Sequence, residues 1–167
     1  MVEYDSKTKE GKCIFCEIAS KRIPPLGNGT IWENKKYMAY LSPFPSVEGF
    51  TIVIPKKHFP SDVLAMPDNE LKEFIVVAKN VAKLVEKSFN DVGRVGLIME
   101  GTGIDHAHIK LIPMHGTEYM KKGEWKQVLS GKEDFFTTYP GYLVSNDGPK
   151  ADFAKLEELA KKIRKNI

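Results

Sequence analysis

Hydrophobic positions along the chain recur with two periods, one typical of strands and one typical of helices. Short β-branched and aromatic runs, bounded by turn residues, predict strands on either side of a long helical segment. The predicted strands are Thr30–Glu33, Tyr37–Leu41, Gly49–Pro55, Arg94–Met99 and His106–Pro113. Between the third and fourth, apolar residues at helical spacing predict one long helix over Asn69–Phe89, with Asp68 or Asn69 capping its first turn.

After Gly116 the pattern changes from strands to helical and aromatic segments. We expect a helix within Tyr119–Leu129, an irregular aromatic stretch at Phe135–Val144 and an amphipathic helix over Ala151–Asn166. The chain is therefore interpreted as a flexible leader (residues 1–12), a functional core (13–116) and a C-terminal extension (117–167). The extension is too apolar for a disordered tail, so we expect it to pack on the core. Packing on a second copy of the chain and covering the functional site are the alternatives.

Composition is that of an ordinary globular chain. The 167 residues suit one domain with an appendage, and 42% hydrophobic with 28% charged residues is a normal balance. The net charge of +3 arises partly from local lysine runs, so nucleic acid is not an expected partner. No apolar stretch approaches the roughly 20 residues that span a bilayer, and the polar start does not resemble a signal peptide. We expect a cytoplasmic protein without a membrane partner.

The last predicted strand carries a row of polar side chains. Because side chains alternate between the two faces of a strand, His106, His108 and Lys110 share one face. The intervening residues are apolar and can enter the core. Two imidazoles and an ammonium are costly to bury without partners, which indicates a face turned toward a polar site, an anion or a metal. A solvated strand face is the alternative.

A glycine-rich turn, Gly101-Thr102-Gly103, precedes this strand. Glycines let backbone amides approach a ligand closely, and successive amides can bind an anion. A lone G-x-G sequence is usually just a turn. Its position before two histidines favours a phosphate site.

The two cysteines, Cys13 and Cys16, form a C-x-x-C pair. They could be a redox pair, a pair of buried thiols or half of a metal site, and a structural disulfide is not expected in a reducing compartment. Zinc favours tetrahedral sets of cysteine and histidine ligands. Spacing alone does not choose among the histidines, which are His58, His106, His108 and His115.

Six segments between Cys13 and Pro113 carry a recognisable order of motifs. They are Cys13–Ile18, Ile23-Pro24, Trp32–Asn34, Ala39–Leu41, Gly49–His58 and His106–Pro113. In this order and spacing they resemble the histidine triad (HIT) superfamily of nucleotide hydrolases and transferases. The resemblance is strongest to members that begin with a C-x-x-C pair.

The resemblance implies an α+β fold with an antiparallel five-stranded sheet and a long helix, to which the extension adds an α-rich part. It also implies a homodimer with sheets joined across the interface. By resemblance, His108 attacks the α-phosphate and forms a nucleotidyl-histidine intermediate, which water or another acceptor resolves. His106 and Lys110 would support this strand, and the amides near Gly101–Gly103 would stabilise the phosphate oxygens.

The resemblance further implies a structural zinc site and an apolar base pocket. The zinc ligands would be Cys13, Cys16, His58 and His106. Zinc on His106 would tie the N-terminal segment to the catalytic strand. The base pocket would comprise Phe15, Ile18, Tyr40 and Pro43, although such residues are often ordinary core. With Ser42, Gly101, Thr102 and Gly103 they form the predicted substrate-binding set.

Three positions depart from the family pattern. Lys110 stands in place of the third histidine, Ser42 in place of an aspartate that binds ribose hydroxyls, and Gly103 in place of a hydroxyl residue. We therefore expect an altered substrate preference. The leading hypothesis is an enzyme that hydrolyses a nucleoside phosphoramidate or dinucleoside polyphosphate at the α-phosphate. The alternatives are a nucleotidyltransferase and a catalytically inactive, zinc-stabilised nucleotide-binding module.

Overall fold

The structure, a computed structural model, describes residues 6–25, 29–126, 131–132, 134–143, 145 and 148–166. The strands are β1 (Thr30–Glu33), β2 (Tyr37–Leu41), β3 (Thr51–Pro55), β4 (Val95–Ile98) and β5 (Ile109–Pro113). Within the described ranges these five form one antiparallel sheet in the order β1-β2-β3-β5-β4. The predicted α+β fold with a five-stranded antiparallel sheet is confirmed.

One face of the sheet is covered by the long helix that the sequence predicts, α2 (Asp68–Lys87), which contacts β2, β4 and β5. Its buried side chains recur every three or four residues, as an amphipathic helix requires, and they are Phe74, Val77, Ala78, Val81 and Val85. Phe74 is fully buried and stacks on Tyr37 of β2 with ring centroids 5.5 Å apart. Burying one such side chain contributes about 2 kcal/mol, so this face anchors the domain.

The start of α2 differs from the prediction. The helix begins at Asp68, Pro67 is its N-cap, and no side chain caps the first turn. Neither Asp68 nor Asn69 is therefore the cap, because both already lie inside the helix. The carboxylate of Asp68 still lies in the first turn, where the helix dipole favours negative charge.

The opposite face of the sheet is covered by a short helix, α1 (Ile14–Ala19). Phe15 and Ile18 of this helix pack in a second apolar cluster with Met38, Tyr40, Ile52, Ile54 and Ile104. Strands β2 and β3 are therefore buried on both faces. The end of α1 is fixed by Arg22, which donates two hydrogen bonds of 2.6 and 2.7 Å to the carboxylate of Glu17.

Strand β5 begins at Ile109, three residues later than predicted. Val53 of β3 pairs with Ile109, so Pro55 would be the partner of Ala107 if the ladder continued. Pro55 has no amide hydrogen to donate to the carbonyl of Ala107, and its own carbonyl accepts from Nε2 of His106. The amide of Ala107 donates to the carbonyl of Phe59 at 2.8 Å. His106 and His108 consequently precede the strand instead of lying within it, although the alternation of side chains extends through them.

The described residues fall into two compact units, one within Met1–Trp125 and the other within Lys126–Ile167. The first unit continues past Gly116 as a 3₁₀ helix at Glu118–Lys122, where an α-helix was predicted. Gly123 ends it with a left-handed φ of 76°, and residues 127–129 of the predicted helix lie outside the described residues.

The second unit contains the predicted terminal helix, α3 (Phe153–Arg164). The carboxylate of Asp152 accepts a 2.9 Å hydrogen bond from the amide of Ala154 and so caps its first turn. Residues 134–143 contain no helix or strand, in agreement with the predicted irregular stretch. That the extension packs on the core stays a prediction.

Of the predicted leader, residues 1–5 lie outside the described part of the chain. Residues 6–12 form a turn, in which the amide of Thr8 donates to the carbonyl of Lys12 at 2.8 Å and Lys7 forms a bridge with Cys13. Across the ranges that the structure describes, no helix has both the length and the apolar character needed to cross a bilayer.

Candidate active site and metal cluster

A cavity of about 690 Å³ lies beside α1, on the face of the sheet opposite α2. Eight predicted site residues line it: Phe15, Ile18, Tyr40, Ser42, Pro43, Thr102, His108 and Lys110. They come from α1, β2 and its following loop, the glycine-rich turn and the region of β5. This volume is in the range of small-molecule sites, which are usually apolar with a few convergent polar groups.

Seven further lining residues were missed by the sequence analysis. They are Ile14, Ile23, Pro24, Phe44, Phe50, Ile52 and Ile104. The register of the sheet explains Ile52, which lies directly opposite Tyr40 on the same face and could have been found by pairing the predicted strands. Ile104 could not have been found in this way, because it follows a turn whose geometry the sequence does not define.

Of the glycine-rich turn, only Thr102 lines the cavity. Gly101 and Gly103 adopt left-handed φ values of 67° and 87°. A side chain at Gly101 would place its Cβ only 2.8 Å from the carbonyl oxygen of Ser61. Asp105 accepts a 2.9 Å hydrogen bond from the amide of Ser61, so the turn is docked against this neighbouring loop. Gly101 is thus required for close backbone packing.

His108 is buried, with 4% of its surface exposed, and its ring lines the cavity. Its Nδ1 lies 2.8 Å from the main-chain carbonyl oxygen of His106. A carbonyl can only accept, so Nδ1 carries the hydrogen and Nε2 keeps a free lone pair. Burial lowers the pKa of His108, which favours the neutral ring near pH 7. The arrangement is that of an imidazole prepared to act as a nucleophile or base through Nε2.

Phe15 of α1 contacts the rings of both His106 and His108. Its ring meets that of His108 edge-on at 5.5 Å and that of His106 at 5.8 Å between centroids. Edge contacts of this kind are favourable beyond simple burial. One short helix therefore fixes the orientation of both imidazoles.

Lys110 also lines the cavity, and its ammonium forms an ion pair with the carboxylate of Glu100. The two side chains are 24% and 11% exposed. Burial lowers the pKa of Lys110, whereas the adjacent carboxylate favours the charged form. Sequence analysis identified Lys110 but not Glu100, because a residue in a loop gives no periodic signal.

Cys13, Cys16, His58 and His106 converge beside this cavity, as the resemblance implies. One ligand atom from each lies within 4.8 Å of all the others. Nδ1 of His106 lies 3.6 Å from the Sγ of Cys13 and 3.4 Å from that of Cys16, and Nδ1 of His58 lies 3.4 Å from the latter. These four side chains form a group that can hold a metal ion, and we call it the metal cluster.

The protonation states of the side chains in the metal cluster are compatible with metal binding. Nε2 of His106 donates a 2.9 Å hydrogen bond to the carbonyl of Pro55, which leaves the Nδ1 lone pair directed at the thiols. Burial lowers the pKa of His106 to about 4, so the ring is neutral, as a ligand must be. Burial and the neighbouring Cys13 raise the pKa of the Cys16 thiol to about 11, and a bound cation would reverse this by favouring the thiolate.

His115, the remaining histidine, lies apart from both sites. Its Nδ1 is 3.1 Å from the carboxylate of Asp91 and its Nε2 is 3.0 Å from the carbonyl of Glu48. These contacts raise the pKa of His115 and join the end of β5 to the loop before β3. It does not line the cavity.

Comparison with known proteins identifies a family for this chain. A family model described as HIT domain matches residues 28–117. An uncharacterized HIT-like protein of Methanocaldococcus jannaschii is 34% identical over 122 residues, covering 70% of this chain and 91% of that protein. An adenosine 5'-monophosphoramidase of Saccharomyces cerevisiae is 33% identical over 107 residues, covering 64% of this chain and 65% of that protein.

Structural similarity extends over nearly the whole chain. A crystal structure of a Streptococcus mutans protein has a TM-score of 0.66 at 20% identity and covers 99% of this chain and 90% of that one. At this identity the likeness concerns the fold alone. Since the family model spans more than half of the chain and the archaeal relative matches most of it, the chain belongs to the HIT family.

Proposed function

We propose that this chain is a nucleotide hydrolase that cleaves at the α-phosphate, with His108 as the nucleophile. The observation that carries the proposal is the 2.8 Å hydrogen bond from Nδ1 of His108 to the carbonyl of His106, in a ring that lines the cavity. It leaves Nε2 with a lone pair on a neutral imidazole. The name of the yeast relative, adenosine 5'-monophosphoramidase, supports a nucleotide substrate.

The reaction proceeds in two displacements. Nε2 of His108 attacks the α-phosphorus, the bond to the leaving group breaks, and a nucleotidyl-histidine forms. The imidazole becomes cationic in this adduct, and the carbonyl of His106 stabilises its Nδ1 hydrogen. Water then attacks phosphorus and the bonding pair returns to Nε2. Splitting one difficult step into two easier ones is the usual advantage of covalent catalysis.

The rest of the cavity supports binding of a nucleotide. Apolar side chains such as Phe15, Ile18 and Tyr40 offer a surface for the base, and Thr102 can donate its hydroxyl to a phosphate oxygen. Ser42 accepts a 3.2 Å hydrogen bond from the amide of Phe44, which leaves its hydroxyl hydrogen for the sugar. A single hydroxyl binds the ribose less firmly than a carboxylate would.

Zinc bound to the metal cluster is part of the proposal. Two thiols and two imidazoles are a ligand set that zinc prefers. The metal would be structural, joining the N-terminal segment to the residue that orients His108. The homodimer implied by the resemblance is also part of the proposal, and sedimentation of the purified protein tests it.

The test is turnover and trapping with adenosine 5'-phosphoramidate and diadenosine triphosphate. We expect wild-type protein to release AMP and to yield a nucleotidyl adduct that peptide mass spectrometry maps to His108. The His108→Ala variant should neither release AMP nor form the adduct. The matched histidine variant His115→Gln should do both. Nucleotide binding without an adduct or turnover would instead support the inactive binding module.

Transfer to an acceptor other than water is the second candidate function. The observation in its favour is a lysine at the third triad position, where the family resemblance leads one to expect histidine. Discharge of trapped nucleotidyl-His108 by phosphate or a sugar phosphate faster than by water would favour a transferase.

A further inference from the structure

Lys110 is held at a fixed position in the cavity wall. In the sheet register its backbone lies between Ile52 of β3 and Ile98 of β4. Lys110 and His108 are two residues apart, which in an extended segment puts both side chains on one face with their Cα atoms about 7 Å apart. Both line the same cavity. A substrate whose phosphorus is beside His108 thus has part of its length beside Lys110.

The ion pair with Glu100 determines what Lys110 can contribute. Lys110 lines the cavity and Glu100 does not, so the pair presents its positive end to a substrate. Burial lowers the pKa of Lys110, but the adjacent carboxylate opposes this effect and favours the charged ammonium, which is a weaker proton donor than an imidazolium. The ammonium is, however, well suited to stabilise negative charge that develops on a nearby oxygen.

We propose that Lys110, positioned by Glu100, selects nucleotides whose leaving group departs as an oxyanion. This inference rests on the proposed function and decides between its two substrate classes. A phosphate or nucleotide leaving group is stable as an anion at neutral pH and departs without a proton. The amine of a phosphoramidate must be protonated to depart, and the ammonium of Lys110 supplies that proton poorly. The preferred class is therefore the nucleoside polyphosphates.

The step balances without an added acid. The Nε2 lone pair of His108 forms the N–P bond while the P–O bond to the leaving group breaks. The electron pair of that bond stays on the departing oxygen, beside the Lys110 ammonium. In the second step water supplies the new P–O bond, the N–P pair returns to Nε2, and the proton of water is released to solvent.

Steady-state kinetics with two substrates that share the adenylate group test the inference. We expect wild-type protein to hydrolyse diadenosine triphosphate with a higher kcat/KM than adenosine 5'-phosphoramidate. Lys110→Met should lower kcat for the polyphosphate by about 100-fold, the usual effect of losing one charge-stabilising group, with a much smaller effect on the phosphoramidate. The double variant Lys110→Met with Glu100→Gln should behave likewise, which excludes an effect of the unpaired carboxylate.

Two further variants separate charge from proton donation. Lys110→Arg keeps the positive charge and should retain the polyphosphate preference. Lys110→His introduces a group that can donate a proton near neutral pH, so it should shift the preference toward the phosphoramidate. Lys56→Met is a matched control, because Lys56 is also 24% exposed and forms an ion pair, with Glu33, but does not line the cavity. The control should leave the substrate ratio unchanged.

The outcomes distinguish this inference from the proposed function. If Lys110→Met lowers both rates equally, Lys110 has only a structural role and the inference is overturned. A wild-type preference for the phosphoramidate also overturns it, while hydrolysis through His108 stands. If neither substrate yields nucleotidyl-His108, the proposed function fails and the inference fails with it. Thermal unfolding of each variant verifies that it is folded.

Discussion

The main-chain carbonyl of His106 accepts a 2.8 Å hydrogen bond from Nδ1 of His108. The side chain of the same His106 lies in the metal cluster, with Nδ1 3.4 Å from the Sγ of Cys16. One residue therefore contributes its ring to the candidate metal site and its backbone to the tautomer of the proposed nucleophile. A shift of the His106 backbone would therefore change both the candidate metal site and the hydrogen bond to His108.

The burial of His108 predicts the pH dependence of activity. Burial lowers its pKa, and the neutral ring is the reactive form. Activity should therefore persist below about pH 6.5, the ordinary histidine value, and decline only as the pH falls through the lowered pKa. A profile of kcat/KM against pH checks this. A loss of kcat/KM at acidic pH with its midpoint at or above about pH 6.5 would contradict this prediction.

A metal ion bound to the metal cluster should be detectable both as metal content per chain and as increased thermal stability of the protein. We expect about one zinc per chain by elemental analysis, as a single tetrahedral site requires. His58 is exposed, so without a metal it contributes little to packing. His58→Gln should therefore lower Tm in metal-loaded protein and have almost no effect after chelation.

The control for the metal experiment is His115→Gln, which replaces a histidine outside the cluster and should keep the metal. Equal Tm values of wild type before and after chelation would contradict a structural metal. Full zinc content in a Cys16→Ser variant would contradict the assignment of Cys16 as a ligand.

Phe15 should affect stability and activity together. It is 7% exposed and its ring contacts both His106 and His108. Phe15→Ala should cost about 3 kcal/mol in the free energy of unfolding, a typical value for a buried aromatic, and should lower kcat because both imidazoles lose their support. Denaturant unfolding and kinetics measure the two effects.

Phe44→Ala is the matched control for Phe15, because Phe44 also lines the cavity but is 45% exposed. It should raise KM with little change in stability. Equal stability of the Phe15 and Phe44 variants would show that α1 does not hold the histidines in place.

His115 should make stability depend on pH with a defined sign. Its two ring nitrogens face two acceptors, the carboxylate of Asp91 and the carbonyl of Glu48, so only the protonated ring satisfies both. Its pKa is raised on folding, so its contribution is fully present below about pH 6.5 and is lost as the pH rises through the raised pKa. The Tm difference between wild type and His115→Gln should be larger at acidic than at alkaline pH. A difference that grows with pH would refute this.

Most of the fold could be predicted from periodicity, because the apolar faces of β2, β3 and α2 are set by contacts with the rest of the core. The start of β5 could not, since it depends on Pro55, which lies about a third of the chain length away and lacks an amide hydrogen. The start of α2 was misplaced for a local reason: capping propensity favoured Asp68, whereas the helix already includes it.

The candidate site was likewise predicted only in part from the sequence. The alternation of side chains along the predicted strand placed His106, His108 and Lys110 on one face. The family resemblance selected His58 as a zinc ligand from among the histidines. The partner of Lys110 was not found, because Glu100 reaches it from a loop. The packing of Gly101 against Ser61 was likewise invisible, since a close backbone approach leaves no pattern in the sequence.

The backbone pairing of β5 with its neighbouring strands includes position 110 but does not extend to position 108. Neighbouring strands on both sides hold the backbone at 110, so its side chain can be exchanged without moving the main chain. At 106 and 108 the main chain is fixed by side-chain and loop contacts instead. Position 110 is therefore the place in this scaffold where substrate preference can evolve, or be engineered, independently of the machinery around the nucleophile.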